Sequence, residues 1–213
     1  METVADLKKR VAQILHKLRR KYPDVNLALD FATPLDLLIA LILAAQCTDA
    51  RVNQVTAGLF RIYRSAKDWA ELDRDVLEEA IRSTGFYRNK ARVIQECTKM
   101  LIDDYDSEIP VELEELLKLP GVGRKTANIL RGNAFGQPAI GVDTHVGRLS
   151  RRVGLSKAAD PDKVEEDLAA IVSKASQIRF CQLLQLHGRT TCGAQKPKCD
   201  VCVIEKECAR IGV

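Results

Sequence analysis

No stretch of this 213-residue chain is apolar for long enough to cross a bilayer. Its first residues are charged and do not follow a signal-peptide pattern. Neither a membrane partner nor export is expected, and a cytoplasmic location is. Sustained strand alternation is missing, which argues against a β architecture. Low-complexity linkers and internal repeats are missing too, which argues against a tethered array or a solenoid. What remains is a soluble globular chain, 46% hydrophobic and 29% charged, long enough for one core or two small ones. Seven cysteines in a reducing compartment point to metal or redox use rather than to a disulfide scaffold.

The most informative segment is Leu119 to Ala127, Leu-Pro-Gly-Val-Gly-Arg-Lys-Thr-Ala. An apolar face of Leu113, Leu116 and Leu117 precedes it, and a helix-compatible run from Lys125 to Leu130 follows. The pattern predicts a helix, a tight hairpin and a second helix, over about residues 113–133. Glycine permits a positive φ and lets another backbone come close. The N–H groups of Gly121 and Gly123, at a helix N-terminus, can hold a phosphate oxygen. Arg124 and Thr126 flank the turn as further phosphate contacts. Lys125 stands one turn from that phosphate, either as another contact or as a reactive amine.

Charge is unevenly distributed. Residues 1–116 hold 17 Lys+Arg against 20 Asp+Glu, a balance of −3, and residues 117–213 hold 16 against 9, a balance of +7. The basic half begins at the hairpin and suits a polyanion, although a solvated basic surface would look the same.

Most of the chain reads as helix. Val4, Leu7, Val11, Ile14, Leu15 and Leu18 recur at helical spacing. Thr33-Pro34-Leu35-Asp36 carries a cap, a first-turn proline and an acid, and it opens a helix from Leu35 to Ala45 that is apolar nearly all round. Asp49 is the expected cap of the next helix, with Val52, Val55 and Leu59. Further helices are expected at Leu72 to Ile81, at Ala91 to Leu101 and after Asp160-Pro161.

Cys192, Cys199, Cys202 and Cys208 form a C-x6-C-x2-C-x5-C set within 17 residues. Four thiolates in one short loop suit an iron–sulfur cluster or zinc. The single C-x2-C knuckle favours [4Fe–4S], because zinc sites more often pair two. Lys196 and Lys198, between the first two ligands, can face DNA phosphates or simply water. Cys47, Cys97 and Cys181 lie in apolar helical contexts and read as core thiols. Finally, Val142-Asp143-Thr144-His145 precedes a helical run. Asp143 can cap that helix or do chemistry, and His145 faces the same choice between structure and site.

Taken together, LPGVGRKTAN (Leu119 to Asn128), VDTH (Val142 to His145), Leu186-His187-Gly188-Arg189 and the four-cysteine loop resemble the endonuclease III family of helix-hairpin-helix DNA glycosylases. The resemblance runs in order over nearly the whole chain. It implies an all-α fold of two helical domains around a DNA-binding cleft: a six-helix bundle at about residues 22–137, and a [4Fe–4S] domain joining residues 1–21 to 138–213. It also implies a monomeric enzyme on damaged double-stranded DNA in the bacterial cytoplasm, held at the nucleoid through DNA. His145 and Arg189 fall at DNA-facing positions of its motifs.

The implied chemistry follows from the side chains. A bifunctional glycosylase needs an amine to attack C1′ and form a Schiff base, which then allows β-elimination. Lysine can do this and a hydroxyl cannot. Lys125 is the expected nucleophile and Asp143 its carboxylate partner. An ordinary lysine, with a pKa of about 10.4, is almost wholly charged near neutrality, so its activation is part of the problem. The damaged base must leave the stack. The resemblance assigns the vacated space to Gln46 and Phe86. Read alone, Gln46 is a polar helix-end residue, and Phe86 is a wedge or a core aromatic. Related enzymes carry an apolar residue where Thr84 stands and an aliphatic one in place of Phe86. An adenine-specific mismatch glycosylase would need a carboxylate where this chain has Ile42, and it lacks the nucleophilic lysine. A DNA-binding module with structural zinc is the alternative from another class.

Overall fold

The structure, a computed structural model, describes residues 2–213. These residues divide by contact into two compact units, Leu27–Gly136 and Met1–Asn26 with Gln137–Val213. Each has its own apolar core. Among the described residues there is no strand, only one isolated bridge between Cys192 and Pro197.

Helix α1 (Val4–Lys21) opens the discontinuous unit. Thr3 and Asp6 close a capping box, and Val11, Ile14 and Leu18 form the buried stripe. The unit continues past α1. Val25 is in its core, and the Tyr22 hydroxyl meets His187 Nδ1 at 3.0 Å and Thr191 Oγ1 at 3.1 Å.

The continuous unit holds α2 (Pro34–Leu43), α3 (Asp49–Ile62), α4 (Ala66–Glu71), α5 (Arg74–Ile81), α6 (Tyr87–Asp104), α7 (Leu113–Leu116) and α8 (Arg124–Phe135), with a 3-10 turn at Arg82–Thr84. Helix α2 has the expected Thr33 cap, Asp36 capping box and Pro34 start. Leu37, Leu38, Ile39, Ala40 and Leu43 are fully buried, each leucine or isoleucine contributing about 1.5–3 kcal/mol. The helix ends two residues before the expected Ala45, because the backbone turns to reach Gln46 at φ 53°.

Several boundaries differ from the sequence reading. Thr48, not Asp49, caps α3: its backbone is extended and its hydroxyl accepts from the Arg51 N–H at 3.3 Å, while Asp49 is the first helical residue. Asp73 caps α5, so Leu72 lies outside it and ends α4 instead. Helix α4, which periodicity missed at six residues, carries the fully buried Trp69. Helix α6 extends beyond the expected Ala91 to Leu101 at both ends. Leu117 is 41% exposed and not on the buried face with Leu116, since α7 stops at Leu116 and Leu117 is its cap.

The discontinuous unit is completed by α9 (Thr144–Val153), α10 (Pro161–Ile171) and α11 (Gln177–Thr190). Asp160 and Pro161 start α10 as expected. Gly188 lets α9 and α11 approach, since a Cβ there would sit 3.0 Å from the His145 ring.

Candidate active site and cysteine centre

In the continuous unit, the hairpin between α7 and α8 is built by two glycines with different tasks. Gly121 has φ +78°, and a Cβ on it would lie 2.4 Å from Val93 Cγ1. Gly123 does not use the left-handed region. It is extended, at φ −90° and ψ 173°, and is the N-cap of α8. A Cβ on Gly123 would meet nothing within 4 Å. The fold therefore needs glycine at 121 but has no use of its own for one at 123. Bare backbone at the start of α8, with no capping side chain, offers N–H groups and a positive helix end to an anion. Gly121→Ala is expected to cost about 2–4 kcal/mol, from a disfavoured φ and a clash with Val93. Gly123→Ala is expected to cost at most about 1 kcal/mol. Thermal melting of the two variants checks this pair.

Helix α8 begins one residue before the expected run, so Arg124 and Lys125 are its first two residues. Lys125 is exposed and lines a cavity of about 410 Å³. Gln46, Phe86, Lys90, Gly121, Thr126 and Ile129 line it too. The sequence-predicted Gln46, Phe86, Gly121, Lys125 and Thr126 thus share one pocket. Gln46 is exposed with φ 53°. Phe86 is 67% exposed with φ 49°. Its reading as a core aromatic is overturned: it caps α6 from the left-handed region and points no bulk into the core. Thr84, just before it, is buried, and its hydroxyl donates to the Ile81 carbonyl at 2.8 Å. The reading from sequence overlooked Lys90, which is 3% exposed beneath the same pocket.

In the discontinuous unit, Asp143 does cap α9. Its Oδ1 accepts from the Val146 N–H at 2.7 Å, and its Oδ2 accepts from Gln185 Nε2 at 2.8 Å. Both oxygens are therefore oriented, the second by a side chain that sequence reading also missed. His145, partly buried, receives an Arg148 contact at Nδ1 of 3.2 Å.

Cys192, Cys199, Cys202 and Cys208 line a second, small cavity of about 20 Å³, walled by Leu149, Val153 and Ile204. All seven cysteines are free. Among the described residues, no three His, Cys, Asp or Glu side chains converge as they would on a single metal ion. Donors face the sulfurs: Arg152 Nη1 lies 3.2 Å from Cys192 Sγ, the Arg210 N–H 3.4 Å from Cys208 Sγ, and His187 Nε2 3.4 Å from Cys202 Sγ. Burial, helped by Lys21, pushes His187 down to about 4, so the ring is neutral near pH 7. In the tautomer protonated at Nε2, the neutral ring would donate to the sulfur and accept at Nδ1 from the Tyr22 hydroxyl. Burial raises the Cys202 and Cys208 thiols. A bound metal group reverses that direction by demanding thiolates, which these N–H donors suit. Lys196 and Lys198 are exposed on the same loop, and Arg189 is exposed at the end of α11.

Cys97 is buried and pushed up to about 12 by desolvation, as is Cys181, which packs partly buried against the second core. Both are structural thiols.

The pattern of residues and the fold agree with comparisons to known proteins. A family model described as "HhH-GPD superfamily base excision DNA repair protein" matches residues 39–174. An endonuclease III of Synechocystis sp. is 46% identical over 209 residues, 98% of this chain and 95% of that protein. The chain belongs to the endonuclease III family, within the HhH-GPD superfamily of base excision DNA repair proteins. Two solved endonuclease III structures superpose on this family member with TM-scores of 0.89 at 44% identity, covering 95% of it. One is a non-covalent complex with DNA, covered over 95% of its length; the other is a trapped covalent intermediate with DNA, covered over 96%. The all-α helix-hairpin-helix glycosylase fold is thereby shared.

Proposed function

We propose that this base excision repair enzyme removes oxidised pyrimidines of the thymine glycol type from duplex DNA, with Lys125 as nucleophile and Asp143 as the carboxylate that serves it. The observation that carries this reading is the pocket where an exposed first-turn lysine shares walls with a phosphate-ready glycine hairpin and two exposed left-handed residues. The covalent DNA intermediate solved for a similar protein supports it.

In this mechanism, Gly121 and Gly123 hold the backbone of the damaged strand, with Arg124 and Thr126 beside them. Gln46 and Phe86 occupy the space that the extruded nucleotide leaves. Neutral Lys125 attacks C1′ and displaces the base, which leaves with the glycosidic electron pair. The C1′–O4′ bond then breaks as O4′ takes a proton, giving the ring-opened imine. This acidifies the C2′ hydrogen, whose loss as a proton lets β-elimination expel the 3′ phosphate. Asp143 accepts the amine proton and stabilises the positive charge that develops on the sugar. His145, Arg189, Lys196 and Lys198 add contacts to the DNA. The enzyme works as a cytoplasmic monomer.

Cys192, Cys199, Cys202 and Cys208 would hold a [4Fe–4S] cluster. With four cysteine ligands it supplies a fixed, charged structural centre that orders the terminal loop. Cys202→Ser is expected to strip iron and sulfide from purified protein. It should also melt the discontinuous unit ahead of the continuous one, by loss of several kcal/mol of ligation. Iron analysis with circular dichroism checks this; a fully folded, colourless protein rich in zinc would contradict it. The function itself is tested by borohydride reduction on a thymine glycol duplex, where wild type should give a covalent adduct. A Gly123→Ala protein that folds normally should bind that duplex more weakly, because its new Cβ stands where the phosphate approaches.

A further inference from the structure

Lys90 is the one charged residue on the buried face of α6, which otherwise presents Ala91, Ile94, Cys97, Thr98 and Leu101 to the core. Burying an amine is costly unless its protons are matched. Here Nζ donates to the Leu43 carbonyl at 2.8 Å and to the Thr84 carbonyl at 2.8 Å. Both acceptors close helical segments: Leu43 is the last residue of α2, and Thr84 is the last of the 3-10 turn. Such terminal carbonyls lack helical partners and favour a nearby cation. Burial lowers the lysine's affinity for its proton, yet the two bonds persist in either protonation state, since an amine still has two N–H donors.

What these carbonyls adjoin gives the arrangement a purpose. Three residues after Leu43 comes Gln46, and two after Thr84 comes Phe86, both exposed in left-handed backbone. The Lys90 backbone N–H closes the circuit on the Phe86 carbonyl at 3.0 Å. No capping side chain fixes Phe86. One buried side chain thus joins the two chain segments whose tips line the pocket with Lys125.

We propose that Lys90 is a positioning residue for base extrusion, clamping the Leu43 and Thr84 carbonyls so that Gln46 and Phe86 enter the duplex in register. This rests on the reading of Gln46 and Phe86 as the residues that fill the vacated stack. Lys90 touches neither substrate nor reacting atoms. Its loss weakens the step that needs the two tips aligned, base extrusion, and leaves the amine chemistry intact.

The test compares Lys90→Met, which keeps the stem, and Lys90→Gln, which keeps one N–H donor group, with wild type. Two substrates separate the steps: a thymine glycol duplex, and a duplex with a preformed abasic site, which has no base to extrude. Single-turnover base release should fall about tenfold or more in Lys90→Met, as expected for a misplaced group. Abasic-site cleavage should change by less than about threefold. A 2-aminopurine opposite the lesion should brighten on wild-type binding and brighten less with Lys90→Met. Lys90→Gln should recover part of both signals. In a Phe86→Ala, Gln46→Ala background, Lys90→Met should cost little more, because the aligned tips are already gone.

A merely structural lysine predicts additive losses and equal falls on both substrates, and that result overturns the proposal. So does wild-type extrusion in both Lys90 variants. If Lys90→Met does not fold, Lys90→Gln carries the comparison by itself. If wild type forms no borohydride adduct on the abasic duplex, it is the Lys125 reading that fails; if wild type forms it and the Lys90 variants extrude normally, only the clamp fails.

Discussion

Lys125→Ala is expected to abolish the borohydride-trapped adduct and to lower strand cleavage on thymine glycol duplex by about 10⁴-fold or more. The size follows from the chemistry. Without the amine there is no imine, and without the imine the C2′ hydrogen is not acidic enough to leave. The fold should not notice. Lys125 is exposed in the first turn of α8, and alanine is the best helix former. Stability should stay within about 0.5 kcal/mol. Duplex binding should fall only slightly, because the hairpin backbone keeps its hold on phosphate. Full trapping by the alanine variant would transfer the nucleophile to another amine.

Asp143→Asn is expected to slow base release by about 10²–10⁴-fold while binding changes little. Asparagine is the informative replacement because it preserves the structural duty of the residue. Its amide oxygen can still accept from the Val146 N–H, and asparagine is as good an N-cap as aspartate. The other aspartate oxygen now accepts from Gln185 Nε2, and a turned Gln185 amide would present its own oxygen to the new NH2 group. Melting should therefore shift by less than about 1 kcal/mol. What is lost is the negative charge and the ability to take a proton. Normal single-turnover rates in this variant would leave Asp143 as a helix cap only.

Much of this was legible in the residues. The capping box at Thr33 and Asp36, the proline starts at Pro34 and Pro161, and the glycine hairpin are local signals, in which one or two side chains decide the backbone. The buried helix α2 announced itself by having no polar face. Asp49 is not the cap of α3 because two adjacent residues could each cap, and only the backbone angle chooses Thr48. Helix α4 was missed because six residues are too few for periodicity, and its place is fixed by the burial of Trp69.

The site divides in the same way. Gly121 and Lys125 are read from the motif itself. The difference between Gly121 and Gly123 is invisible in sequence, because it depends on where Val93 lies. Gln185 and Arg152 act through partners about 40 residues away, at Asp143 and Cys192. Lys90 did leave a trace: it stands four residues before Ile94 and seven before Cys97, a charge on an apolar stripe. Its partners at Leu43 and Thr84 are main-chain carbonyls, which no sequence pattern names.

The discontinuity of one unit has a consequence for synthesis. Residues 27–136 contain a complete core and can fold as soon as they emerge. Helix α1 cannot, because Val11, Ile14 and Leu18 pack with residues from 140 onward. At about 5–20 residues per second, the ribosome needs about 10–40 s to make the rest of the chain. For that time α1 is without its partners, an apolar stripe beside a nascent chain. Slowing translation beyond Gly136 should lengthen its exposure to chaperones and proteases, whereas slowing it within residues 1–26 should not.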